Sequence, residues 1–72
     1  MTTPKQVLNY HLKRLENKDP QIRLQAIEQL REIGDATVLE ALQALYRNDD
    51  DELVRQAAQA AGRDIWSKQN RA

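Results

Sequence analysis

Residues 19–26 read DPQIRLQA and residues 51–58 read DELVRQAA. At an offset of 32, Asp19 matches Asp51, Ile22 matches Val54, Arg23 matches Arg55 and Ala26 matches Ala58. A chain that repeats at this period is assembled from one supersecondary unit stacked on its own copy, because a single unit of that length cannot bury its apolar face alone. The 72 residues hold two such units.

Each unit reads as a pair of helices. In the first helix Thr3 is placed as N-cap and Pro4 as the first helical residue, where a missing N–H costs nothing. Val7, Leu8, His11, Leu12 and Leu15 follow at one-turn spacing as a single apolar stripe, which stops at Asn17-Lys18. The second helix begins at Asp19-Pro20, a carboxylate that accepts the first free N–H groups and a ring that pre-sets φ. Its stripe is Ile22, Ala26, Ile27, Leu30 and Ile33, and Gly34 supplies a left-handed C-cap. Asp35 caps the third helix, whose apolar positions are Val38, Leu39, Ala41, Leu42, Leu45 and Tyr46. The very short turn before it forces the second and third helices into antiparallel or sharply crossed contact. Asn48, Asp49 and Asp50 break the pattern, and Asp51 caps a fourth helix running to about Ser67 through Val54, Ala57, Ala58, Ala61 and Ile65.

The first and third helices also align, Leu12 with Leu42 and Leu15 with Leu45, at an offset of 30, the difference lying in a longer loop before the fourth helix. The fold class that follows is all-α: an α-α superhelix, or solenoid, of two helical hairpins and four helices. The chain reads as a single domain over 1–72, with repeat 1 at about 3–34, repeat 2 at about 35–67 and a polar tail at 68–72.

Composition narrows the function classes. With no cysteine, disulfides and zinc–thiolate sites are excluded. Eleven Lys and Arg against eleven Asp and Glu leave a formal net charge of zero, which argues against a broad footprint for nucleic acid or an anionic membrane. The first twenty residues carry charges throughout, so the expectation is neither signal peptide nor membrane span, and a cytoplasmic protein.

The residue types that carry chemistry do not converge. His11, the only histidine, lies on an apolar stripe without a carboxylate at ligand spacing, which reads as a packed or edge residue. Asp49, Asp50, Asp51 and Glu52 form an acidic run, but calcium loops alternate their ligands and need a turn glycine that this run lacks. No phosphate-binding glycine loop, nucleophile elbow or paired-carboxylate site is present. The expectation is a non-enzyme with no catalytic residue, cofactor, metal or small-molecule substrate.

The pattern Asp-Pro-x-Ile-Arg-x-x-Ala from Asp19, continued by Leu30, Ile33, Gly34 and Asp35, resembles the second helix and following turn of a HEAT repeat, most closely the short HEAT-like repeats of phycobilin lyases. Asp51, Val54, Arg55, Ala58 and Gly62 give a second match, and the resemblance covers about Thr3 to Trp66. It implies that the second helix of each pair lines the concave side and that Asp19, Arg23, Asp51 and Arg55 are structural, capping helices and bridging adjacent repeats. The chain departs from the family in having only two repeats, where a solenoid usually needs at least ~3 to bury its faces.

The ends of the stack should therefore differ. Gln25, Gln29 and Glu32 make one flank of the second helix a polar cap, while Ile27 and Leu30 on its other flank should pack against Leu53, Ala57, Ala60 and Ala61 of the fourth. Beyond the fourth helix lie Arg55, Gln59, Gly62 and Trp66, where a longer solenoid would lay its next repeat. Trp66 either folds over Gly62 as a cap or anchors a partner; both fit a large aromatic beside glycine. The outward face of the second helices carries Leu24, Glu28 and Arg31, then Gln56, Ala60 and Arg63, read either as solvated surface or as a recognition face with two guanidiniums. The expected function is a protein-binding module or small adaptor using Leu24, Arg31, Gln56, Gln59, Arg63 and Trp66, with a protein partner or a homodimer joined through the C-terminal edge. The alternative implied by the resemblance is an accessory factor related to phycobilin lyases; a weaker one is nucleic-acid binding through Arg31, Arg63, Lys68 and Arg71.

Overall fold

The computed structural model describes residues 4–70, so the expected cap at Thr3 and the end of the polar tail lie outside the described residues. Four α-helices run α1 Lys5–Arg14, α2 Pro20–Ile33, α3 Leu39–Asn48 and α4 Glu52–Gln69, with a 3-10 turn Ala36–Val38 before α3 and no strand among the described residues. The architecture is all-α, two HEAT-like hairpins in succession.

Local chemistry explains the boundaries. Pro4 is the N-cap of α1 and not its first helical residue: its ψ of 140° is extended, and its carbonyl accepts from Val7 and Leu8 at 3.1 and 3.2 Å. The Asp19 carboxylate accepts from the Gln21 N–H at 2.9 Å with Pro20 in the first turn, and α2 ends at Gly34. Gly34 has φ 70°, a left-handed backbone that L side chains rarely adopt, and its N–H closes the helix on the Leu30 carbonyl at 3.0 Å. Asp35 does cap, but it caps the 3-10 turn, accepting from the Thr37 N–H at 2.8 Å and the Thr37 hydroxyl at 2.7 Å; regular α-helix begins only at Leu39. Asp51 accepts from the Val54 N–H at 3.0 Å, and α4 then runs two residues past Ser67.

The core consists of Leu8 and Leu15 from the first hairpin's outer side, Ala26, Ile27 and Leu30 from α2, Val38 and Leu42, and Val54, Ala58, Ala61 and Ile65 from α4. α4 packs along both α3 and α2, whereas α1 packs chiefly on α2. Four expected core positions are corrected by this arrangement. Val7 is 41% exposed because α1 is covered chiefly by α2, which shelters only a narrow stripe centred on Leu8 and Leu15. Leu53 is 62% exposed and Ala60 is also exposed, because each lies about 100° around the helix from a buried neighbour, Val54 or Ala61. Ala61 is thus buried and Ala57 half-buried, whereas Leu53 and Ala60 face water. Tyr46 is 44% exposed, on the side of α3 where nothing is stacked.

Ile27 and Leu30 are completely buried, each contributing about 1.5–3 kcal/mol of transfer free energy. Leu30→Ala is expected to lower stability in urea by about 2–5 kcal/mol, enough to threaten a domain this small. Leu53→Ala, at an exposed position, should stay within about 0.5 kcal/mol; equal losses at the two positions would contradict this packing.

Candidate functional site

The site grows from the loop that precedes the second helix of each unit. In the first unit the Asn17 side-chain oxygen accepts from the Asp19 N–H at 2.9 Å, and Arg23 Nη1 donates to the Asn17 and Lys18 carbonyls at 2.7 and 3.1 Å. The rest of the guanidinium fork crosses to the second unit. Nη2 donates to Asp49 Oδ1 at 3.0 Å, Nε lies 2.9 Å from Asp49 Oδ2, and Asp50 is 3.3 Å from Nη2. The Arg23 and Asp49 side chains are 11% and 6% exposed, so this is a nearly dry ion pair in which Nη2 makes the hydrogen bond and Nε, though close to Oδ2, is not aligned to donate.

The second unit repeats half of this arrangement. Asp49 Oδ1 accepts from the Asp51 N–H at 2.9 Å as Asn17 does from Asp19, and Arg55 Nη1 donates to the Asp49 carbonyl at 2.7 Å as Arg23 does to Asn17. Among the described residues no carboxylate answers Arg55. The acceptor that bridges the units is thus Asp49, not Asp51. Sequence reasoning placed Asp49 only in an acidic run and missed it, although its alignment with Asn17, two residues before the cap, was available as a signal.

The same copy relation runs along the helices. On α2 the flank Arg23, Ile27, Leu30 and Gly34 faces α4; the matching positions of α4 are Arg55, Gln59, Gly62 and Trp66. Ile27 and Leu30 are sealed, while Gln59, Gly62 and Trp66 line an open groove whose other wall is α3, with Leu39, Gln43 and Tyr46. Trp66 is 59% exposed and does not seal this edge. A methyl group at Gly62 would meet only the Leu42 Cβ at 4.0 Å, an ordinary contact, so the fold itself does not demand glycine there.

Of the six expected partner-binding residues, the groove brings together Gln59, Arg63 and Trp66. The others lie elsewhere. Leu24 is half-buried against the core, and the exposed Gln56 donates to Glu52 at 3.4 Å. Arg31 Nε donates across the helix pair to Asp64 Oδ2 at 3.2 Å, and Lys68 Nζ lies 3.3 Å from the same oxygen. Two of the four cations named for nucleic acid are thus engaged by one aspartate, and Arg71 lies outside the described residues. The Lys68 ammonium, and then the Arg31 guanidinium, hold the Asp64 carboxyl below its ordinary pKa; hydrogen bonds from the Thr37 N–H and hydroxyl do the same for Asp35.

His11 is half-buried, edge-on to Tyr10 with ring centroids 5.1 Å apart, and its Nδ1 has no hydrogen-bond partner. No group of three His, Cys, Asp or Glu side chains that could hold a metal occurs among the described residues, and none of the described helices is long and apolar enough to cross a membrane.

The sequence model of a family described as HEAT repeats matches residues 2–62. No curated protein and no solved structure matches the chain.

Two measurements check the electrostatics. Arg23→Ala should destabilise by about 3 kcal/mol in chemical denaturation, since it leaves a buried carboxylate unpaired, and Arg55→Ala by about 1 kcal/mol; equal losses would show that the bridge to Asp49 contributes nothing. In a carbon-detected NMR titration Asp64 should lose its proton below the ordinary aspartate range, and Lys68→Met or Arg31→Gln should raise its midpoint. Since the folded-state pKa lies below the unfolded one, the stabilisation from Asp64 is present above the unfolded value and is lost as pH falls through the folded value. The Asp64 side chain is 31% exposed and partly screened by solvent, so the effect on stability is small.

Proposed function

The chain belongs to the HEAT-repeat family, whose repeats generally mediate protein–protein contacts and are typically non-enzymatic, and from that premise we propose that it is a non-enzymatic docking module whose partner seats on the open edge of its second repeat. One observation carries the reading. Ile27 and Leu30 on α2 are fully buried, whereas the matching positions on α4, Gln59 and Gly62, line an open groove. In a repeat stack such a face is where the next element goes.

The substitutions on that copy suit an occupant that comes and goes. Where α2 presents Ile27 and Leu30, α4 presents Gln59 and Gly62, which lowers the cost of standing uncovered in water while keeping the groove floor open. Trp66 supplies the large, rigid surface typical of an interface anchor, and Arg63 at the rim adds a planar donor set. Leu24, Arg31 and Gln56, on the outward face of the second helices, are secondary in this reading, because Leu24 and Arg31 already have internal neighbours. A second copy of the chain is the other occupant the edge admits, with two grooves meeting across a twofold axis and Trp66 buried in both. An accessory role beside phycobilin lyases has the likeness of the repeats behind it, and fold alone does not transfer chemistry.

A photo-crosslinking residue at position 59 should trap a defined partner that a crosslinker at Gln25, on the opposite exposed flank of α2, does not. Trp66→Ala should weaken that partner's binding by roughly tenfold or more. Equal trapping from both positions, or no effect of removing Trp66, would sink the edge reading.

A further inference from the structure

We propose that Arg55 is a carboxylate receptor, and that the partner of the open edge is a helical hairpin of another protein that presents an aspartate or glutamate at the loop position Asp49 occupies within this chain. The proposal rests on the edge reading above and names the chemistry of its occupant.

The chain contains its own precedent for this contact. Arg23 is steadied by donating from Nη1 to the carbonyl of Asn17 at 2.7 Å, and it holds the next unit's Asp49 through the Nη2 hydrogen bond at 3.0 Å, with Nε 2.9 Å from the other carboxylate oxygen but not aligned to donate to it. Arg55 is steadied by the equivalent bond, Nη1 to the Asp49 carbonyl at 2.7 Å, with the Asp49 side chain accepting from the N–H of the cap residue Asp51 as Asn17 does from Asp19. Its Nε and Nη2 have no acceptor among the described residues. A half-buried guanidinium held by one edge, with two donor nitrogens that find no acceptor among the described residues, is suited to a carboxylate. It also lies one turn before Gln59 on the flank that continues through Gly62 to Trp66, so a hairpin in the groove would bring its own loop to Arg55 as the second unit brings Asp49 to Arg23.

The same register argues against the simplest homologous occupant. If a second copy stacked head to tail, the residues meeting Arg55 would be those that align with Asp49 and Asp50, namely Asn17 and Lys18. One offers no carboxylate and the other repeats the positive charge of Arg55. The chain thus joins its own two units through an Arg–Asp bridge while withholding the acid from its first loop. Such a pattern stops end-to-end growth into filaments, which heterologous contacts otherwise permit, and reserves Arg55 for a different, acidic partner.

The inference is tested with the full chain as its own probe. The double variant Asn17→Asp, Lys18→Asp keeps the cap acceptor at position 17, as Asp49 does in the second loop, and restores both carboxylates. Labelled double variant titrated onto unlabelled wild type, with Trp66 emission and sedimentation as readouts, should bind roughly tenfold more tightly than labelled wild type does. Arg55→Gln in the receiving chain should abolish the gain, and Arg55→Glu received by Asn17→Arg, Lys18→Arg should restore it. Circular dichroism melts confirm that each variant is folded. No gain from the acidic loop, a gain that survives Arg55→Gln, or an Arg55-dependent dimer of the wild type would each overturn the proposal. Crosslinking from position 59 that persists undiminished in Arg55→Gln would also overturn it while leaving the edge reading intact.

Discussion

α2 has to be covered on two sides at once, and the rest of the molecule is arranged around that requirement. A hairpin of about thirty residues buries one face of its second helix against its first and leaves the adjoining flank apolar. In this chain that flank includes Ile27 and Leu30, which are completely buried, and α2 packs against α4 as well as α1. The second hairpin is therefore not an independent neighbour but the missing wall of the first. Burial of these side chains supplies the favourable term, and alanines on α4 let the two helices approach closely.

The Arg23–Asp49 pair fixes how that wall is placed. Apolar contact is tolerant of small slides, whereas a nearly dry guanidinium–carboxylate pair, hydrogen-bonded through Nη2 at 3.0 Å, is less so. A buried pair contributes little net stability compared with apolar side chains of the same volume, but breaking it is costly, so it acts as a registration device. Gln69 Nε2 donating to the Gly34 carbonyl at 3.2 Å ties the far end of the same interface. With both ends of α4 tied to α2, the free side of α4 is presented in a fixed attitude, and the groove with α3 is a consequence of that placement.

Seen from the copy relation, α4 is a second α2 whose outer flank has been rewritten for water. Isoleucine became glutamine and leucine became glycine at matching positions, yet the arginine at the head of the flank was kept and a tryptophan stands at its foot. A capping surface alone would have no use for an exposed tryptophan and an unanswered guanidinium. On the proposed reading, polarity in the middle of the flank keeps the face compatible with water, and Arg55 and Trp66 at its ends are the groups a partner would meet.

The internal repeat, the aspartate caps and the Gly34 terminus were legible in the sequence because each depends on a few neighbouring residues and on backbone geometry that local chemistry dictates. The apolar periods located the helices, and the offset of 32 showed that they form two copies. Three features were decided only by tertiary structure. Leu53 and Val7 face water although they lie beside the stripes, since which side of a stripe is covered depends on where the neighbouring helix sits. Arg31 is bound by Asp64, thirty-three positions away, and Arg23 reaches Asp49, twenty-six away, contacts that no local pattern encodes. The emptiness of the groove beside Trp66 likewise belongs to the assembled stack. A sequence sets the preferences of each helix within a turn or two, but the pairing of charges and the exposure of an edge follow from the relative placement of whole helices, which the packing of the core determines.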